Sequence, residues 1–108
     1  LSGANLKNAE TKGANFSGAN LSKVNLVGGI IQCNLSGAIL IEVNFCGANL
    51  SGGNFSGTDL TSADLRGANL QNTNLEKANL KGANLSGVVN LKTAKLAGAI
   101  MPDGTTHE

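Results

Sequence analysis

A leucine or phenylalanine returns every fifth residue along almost the whole chain, and the residues between follow a fixed polar pattern. Ala63–Leu85 shows it without interruption, reading ADLRG-ANLQN-TNLEK-ANLKG-ANL. Each quintet holds a small residue, Asn or Asp, Leu, and two polar or glycine positions. With the Leu/Phe position taken as the centre, centres fall at Leu1, Leu6, Thr11, Phe16, Leu21, Leu26 and Ile31. They resume at Leu35, Leu40, Phe45, Leu50, Phe55, Leu60, Leu65, Leu70, Leu75, Leu80 and Leu85, and finish at Leu91, Leu96 and Met101. The phase slips by one residue before Leu35 and by one in the opposite sense before Leu91.

A five-residue period excludes the usual elements. An amphipathic helix repeats its apolar positions at i, i+3, i+4 and i+7, and a strand alternates by two. Here the centre and the small residue two positions earlier share one direction, as in a short extended segment. The remaining positions turn the chain, with Gly common where a bend needs permissive backbone. Four such sides close a turn of about 20 residues, and turns stack through backbone hydrogen bonds about 4.8 Å apart. Every fourth centre then forms an interior column. The columns are Leu1, Leu21, Leu40, Leu60, Leu80, Met101; Leu6, Leu26, Phe45, Leu65, Leu85; Thr11, Ile31, Leu50, Leu70, Leu91; and Phe16, Leu35, Phe55, Leu75, Leu96. All but Thr11 are apolar. The reading is an all-β stack of about five coils over residues 1–101, with 102–108 as a C-terminal turn and tail. Val89 and Asn90 are assigned the inward small slot and the outward Asn slot before Leu91.

Composition supports a repeat protein. The 41% hydrophobic share is mostly Ala and Leu, with three Phe, no Trp and no Tyr. Fifteen Gly and abundant Asn argue against long helices. A formal net charge of +1 lacks the basic clustering of a nucleic-acid binder and the acidity of a nucleic-acid mimic. No apolar run approaches the roughly 20 residues of a membrane-spanning helix. The chain starts in mid-repeat at Leu1 with neither Met nor a signal peptide. It reads as a processed protein or an excised domain, cytoplasmic, or lumenal or periplasmic if a leader was removed. Two Cys make no disulfide framework. Cys33 falls in a small inward slot and Cys46 follows a centre and faces out, so both are expected to be free thiols.

The repeated Ala-Asn/Asp-Leu-x-x from Leu1 to Met101 resembles the pentapeptide-repeat family over more than nine-tenths of the chain. The resemblance implies a right-handed quadrilateral parallel β-helix with inward Leu/Phe and Ala columns. The ending Met101-Pro102-Asp103-Gly104 is similar to the tail of many cyanobacterial members, and Pro-Asp-Gly is a turn signal in its own right. The family's usual terminal helical cap is not visible at Leu1.

Some family members mimic duplex DNA and act on DNA gyrase. That requires Asp or Glu on successive outward positions, whereas this chain carries Asn there, and Asp59 and Asp64 fall on adjacent sides. The DNA mimic stands as the alternative, disfavoured by near-neutral charge. An ice- or sugar-binding lattice would need a regular Thr array, and the Thr residues share no column. Lys77, Lys81, Lys92 and Lys95 gather near the C-terminal coils, but Glu76 interrupts them and no Tyr or Trp offers a base a stacking platform. Catalysis lacks a Ser/His/acid set or a metal-ligand cluster. His107 is the only histidine and lies in a tail expected to be mobile, and a Leu-filled interior leaves no pocket. No cofactor, metal, nucleic acid or small-molecule substrate is expected.

The residues that break the pattern outward are apolar. Val27, Ile30, Ile39 and Ile41 occupy slots that elsewhere hold Asn, Ser or Lys, and stacking sets Val27 beneath Cys46. These five residues are the candidate interaction patch, unless the slip before Leu35 turns some of them inward. The functional reading is a non-enzymatic structural or protein-interaction scaffold, with a protein partner or a second copy as its ligand.

Overall fold

The computed structural model describes residues 2–108 and measures 33 × 23 × 23 Å. Among these residues the only helical element is a 3-10 turn, η1, at Leu91–Thr93. Parallel β-bridges one residue wide join positions 19 to 21 apart in sequence, in four ladders. The first side runs through Asn20, Ile39, Asp59, Asn79 and Ile100, and the second through Asn5, Asn25, Asn44, Asp64 and Asn84. The third runs through Glu10, Ile30, Asn49, Asn69 and Val89, and the fourth through Asn15, Asn34, Asn54, Asn74 and Lys95. Each side is too short for a strand of ordinary length, so successive coils meet as bridges.

One quintet shows why Asn is required. In Ala48–Gly52, Ala48 donates to the Phe45 carbonyl across the corner (2.9 Å), Asn49 to Gly29 in the preceding coil (2.8 Å), and Leu50 to Asn69 in the next (2.9 Å). Gly52 donates to Gln71 (2.9 Å). The fifth amide, Ser51, has no carbonyl within reach, and the Asn49 side-chain oxygen accepts it at 3.0 Å. The outward Asn therefore closes the turn from outside, and all five N–H groups are satisfied. Asp59 and Asp64 do the same for Thr61 and Arg66. The residue before most small slots sits at positive φ, as Gly47 does at 64°. Glu42 and Lys77 accept the same conformation at a cost of about 1 kcal/mol each.

The inward side chains fill the centre. Val24, Leu40, Phe45, Phe55, Leu70 and Leu80 are fully buried, while Leu6, Phe16, Leu85, Leu91, Leu96 and Met101 at the two ends are partly buried. Phe45 and Phe55 come from different columns yet meet edge to face at 5.8 Å, a favourable arrangement for two rings. Thr58 and Thr73 occupy inward small slots and are buried because each hydroxyl donates to a backbone carbonyl, Phe55 and Leu50, at 2.8 Å. Thr11, the polar centre, donates its hydroxyl to the Cys33 sulfur at 3.3 Å.

The two slips are absorbed differently. Before Leu35 the corner is one residue short and lacks a positive-φ residue, and Cys33 still packs inward at 6% exposure. Before Leu91 the register differs from expectation. The corner after Leu85 closes normally, with Val88 donating to the Leu85 carbonyl at 3.2 Å, so Val88 takes the small inward slot. Val89 instead points out at 49% exposure and pairs with Asn69. Asn90 is the extra residue, at φ 63°, and η1 follows it. Asn tolerates this left-handed conformation better than most residues, so the insertion is taken up within a side. The tail also departs from the expected mobility. Thr106 pairs antiparallel with Ile100, and the backbone of His107 bonds Gly98 (2.8 Å) and Ala99 (2.7 Å).

Candidate interaction surface

The five outlying residues lie on three sides around the first slip. Ile39 and Ile41 flank the inward Leu40 on the first side, with Ile39 the more exposed at 38%. Val27 and Cys46 stack at the far end of the second side, where Gly28 donates to the Cys46 carbonyl at 2.9 Å. Ile30 opens the third side, across a corner that carries Gly28 and Gly47 and therefore no side chain. Val27, Ile30, Ile41 and Cys46 are half-buried, and none has turned into the core. The apolar outward residues thus form two groups, Ile39 with Ile41, and Val27 with Cys46 and Ile30.

Ile39 gives up the turn-closing oxygen that Asn supplies elsewhere. The Ile41 amide consequently has no protein acceptor among the described residues, a sacrifice of about 1 kcal/mol relative to a closed turn. Ile30 has the same effect on the Gln32 amide. These substitutions run against the scaffold's own rule.

Charge on the sides is sparse, and two ion pairs form among the described residues. Arg66 donates to both oxygens of Asp64, at 2.9 and 2.8 Å, and holds its carboxyl down at about 2. Cys46 lies against this pair. Burial, followed by the neighbouring Asp64 carboxylate, pushes its thiol up. Burial raises the Cys33 thiol as well, against the opposing hydrogen bond from Thr11. Both cysteines are free. Lys23 and Glu42 approach to 3.8 Å at an exposed corner. Asp59 and Asp64 stand on adjacent sides, so no acidic ladder runs along the stack. The four C-terminal lysines are spread as well, with Lys95 on the fourth side and Lys81 following the first.

Among the described residues, no group of three or more His, Cys, Asp or Glu could hold a metal ion. No helix there is long and apolar enough to cross a membrane. The interior is not perfectly filled, with about 20 Å³ of space lined by Thr11, Phe16, Ile31 and their neighbours near the N-terminal end. An open groove of about 610 Å³ follows Ser56, Glu76 and Lys77. A hollow of about 390 Å³ at the C-terminal end is lined by Leu91, Lys92, Ala94, Leu96, Met101 and His107. Residue-by-residue reading missed this hollow, because it arises where the Asn90 insertion and the returning tail meet.

The quintet ladders, the Asn-closed turns and the inward columns define a pentapeptide-repeat protein. The chain belongs to the pentapeptide repeats family, whose pattern matches residues 1–31, 30–67 and 60–101 in eight copies. It is similar to a pentapeptide repeat protein, Rfr23, from the cyanobacterium Cyanothece 51142, at 32% identity and TM-score 0.76, covering 99% of this chain and 90% of that one. It is also similar to AT2G44920, a pentapeptide repeat protein from the Arabidopsis thaliana thylakoid lumen, at 28% identity and TM-score 0.55, covering 98% and 70%. The likeness to QnrB1, a plasmid-mediated fluoroquinolone resistance protein, is 20% identity at TM-score 0.38 over 94% and 67%, too loose to carry an argument. No curated protein matches the chain.

Proposed function

We propose that this chain is a non-enzymatic scaffold, a right-handed quadrilateral parallel β-helix of about five coils over residues 1–101 with a closing tail at 102–108. Its side faces bind a protein partner or a second copy of the chain. The observation that carries this reading is Ile39, an exposed apolar residue in a slot where the scaffold needs Asn. Such a position lowers the stability of the isolated coil, so its value lies in contact with something else. Val27, Ile30, Ile41 and Cys46 extend the surface around the same slip. A DNA mimic acting on a topoisomerase is the weaker reading, because the outward ladders are amide-rich and Asp64 is neutralised by Arg66.

Ile39→Asn is the sharpest test, because it restores the scaffold's own residue and separates folding from binding. Capture of partners from the native host, combined with sedimentation of the purified protein, should show loss of the partner or of self-association with Ile39→Asn or Ile41→Lys. Unchanged capture and unchanged sedimentation would remove the surface from consideration. Inhibition of gyrase supercoiling at stoichiometric protein would favour the mimic instead.

A further inference from the structure

Within the stack, each coil offers the next one a centre N–H and a small-residue carbonyl. Leu75 donates to Lys95 at 2.8 Å, and Ala78 accepts from Ile100 at 2.9 Å. On the first side of the last coil the chain's own tail takes these groups, as His107 donates to Ala99 and Met101 donates to Thr105, both at 2.7 Å. The tail is thus an added extended strand, antiparallel to the rung beneath it. On the adjoining fourth side, the Ala94 carbonyl and the Leu96 N–H have no backbone partner among the described residues. The hollow of about 390 Å³ opens beside them, floored by Leu91, Ala94, Leu96 and Met101 and rimmed by Lys92 and His107.

We propose that this end binds an extended peptide of alternating acidic and apolar residues, added as one more strand. Its backbone bonds the Ala94 carbonyl and the Leu96 amide, an apolar side chain enters the hollow, and a carboxylate meets Lys92. Strand addition of this kind takes affinity from main-chain bonds and specificity from alternate side chains. Charge favours an acidic partner, since Lys92 and the neighbouring outward Lys95 form no ion pair among the described residues. A second copy continuing the stack is disfavoured, because the tail occupies the first side and a complete coil would collide with it. A single strand fits beside it.

The inference rests on the reading of the protein as an interaction module, but at a different surface. The probe is an acetylated, amidated hexapeptide of alternating glutamate and valine, titrated into the isotope-labelled full chain. The amides of Leu91 and Leu96 and the His107 ring should shift most. Backbone N-methylation of the peptide should weaken binding at least tenfold, and Lys92→Glu should weaken it about tenfold at low salt. Lys12→Glu, near the other end of the stack, should leave it unchanged. Equal binding of the N-methylated peptide, or shifts centred on Ile39 and Ile41, would overturn the end site. Peptide-induced doubling of mass in sedimentation would overturn it in favour of a second copy. If the peptide fails while Ile39→Asn still abolishes partner capture, only this inference falls.

Discussion

Gly53 occupies an inward small slot that Ala fills in most quintets, and Gly53→Ala tests whether the core tolerates the commoner residue. A Cβ built there would lie 2.7 Å from Cε1 of Phe55 and 3.1 Å from the carbonyl oxygens of Ile31 and Leu50. Phe55 is fully buried and held edge-on by Phe45, so the ring has no free direction in which to withdraw. Overpacking a rigid site costs about 1–3 kcal/mol, against a gain of about 0.4–1 kcal/mol from a less flexible unfolded chain. The net expectation is destabilisation of about 1–2 kcal/mol, read as a lower urea midpoint at unchanged slope. Phe55→Leu recreates the commonest centre and makes room for the methyl group. The double variant should therefore be more stable than the two single effects predict, with a coupling above about 0.5 kcal/mol. A neutral or stabilising Gly53→Ala, or purely additive effects, would refute the claim that Phe55 dictates glycine at this slot.

Three further outcomes follow from the same geometry. Asn54→Ala removes the acceptor that closes the Ser56 turn and should lower stability by about 1 kcal/mol, whereas Asn54→Asp should be tolerated; equal loss in both would contradict the turn-closing role. Asp64 titrates at about 2 in the folded chain against 3.8 ordinarily, so its contribution is complete above about pH 4 and fades as pH falls towards 2; Arg66→Gln should return its NMR midpoint to the usual carboxylate range. A thiol reagent should modify Cys46 in the native protein and reach Cys33 only on unfolding, since Cys33 is 6% exposed; two rapid equivalents would contradict its buried placement.

What the sequence disclosed, and what it hid, divides along the range of the interactions. The column assignments follow from period alone, so the inward Leu residues, the buried Cys33 and the outward Cys46 were legible without coordinates. Gly53 was not. Phe16 and Phe45 coexist with Ala14 and Val43 in the same slot, and only the meeting of two rings from different columns makes Phe55 demand glycine. The register at Val88–Leu91 was hidden for a similar reason. Asn90 looks like an ordinary outward Asn, but the preceding corner closes with its usual bond and leaves Asn90 as the surplus residue. Val89 then becomes exposed in place of an amide. The pairing of the tail with Gly98–Met101 was also invisible, because it depends on backbone groups left over once the last coil has formed.

The apolar surface raises a question of energetic logic that regularity itself answers. Nearly identical quintets give nearly identical sides, and no partner can distinguish one rung of such a stack from the next. Recognition therefore needs positions that differ, and an outward slot filled by Ile, as at Ile30 and Ile39, lacks the turn-closing bond. Ile30 and Ile39 accept that loss on consecutive coils beside the first slip, where Thr11 and Cys33 already interrupt the interior. The uninterrupted quintets from Ala63 to Leu85 carry no such exception, since Asp64, Asn69, Asn74, Asn79 and Asn84 each close their turn, and the other exceptions, Glu10, Val89, Lys95 and Ile100, lie nearer the two ends of the stack. The slip also shortens a corner, which gives one coil a mark along an otherwise repeating axis while the four ladders continue through it. A partner that reads Ile39 and Ile41 would thus be aligned to one coil, whereas a partner that reads the Asn ladders could slide. Moving the isoleucine from position 39 to position 59, by Ile39→Asn with Asp59→Ile, should transfer binding by one coil if the apolar residue alone is read, and abolish it if the slip supplies the register.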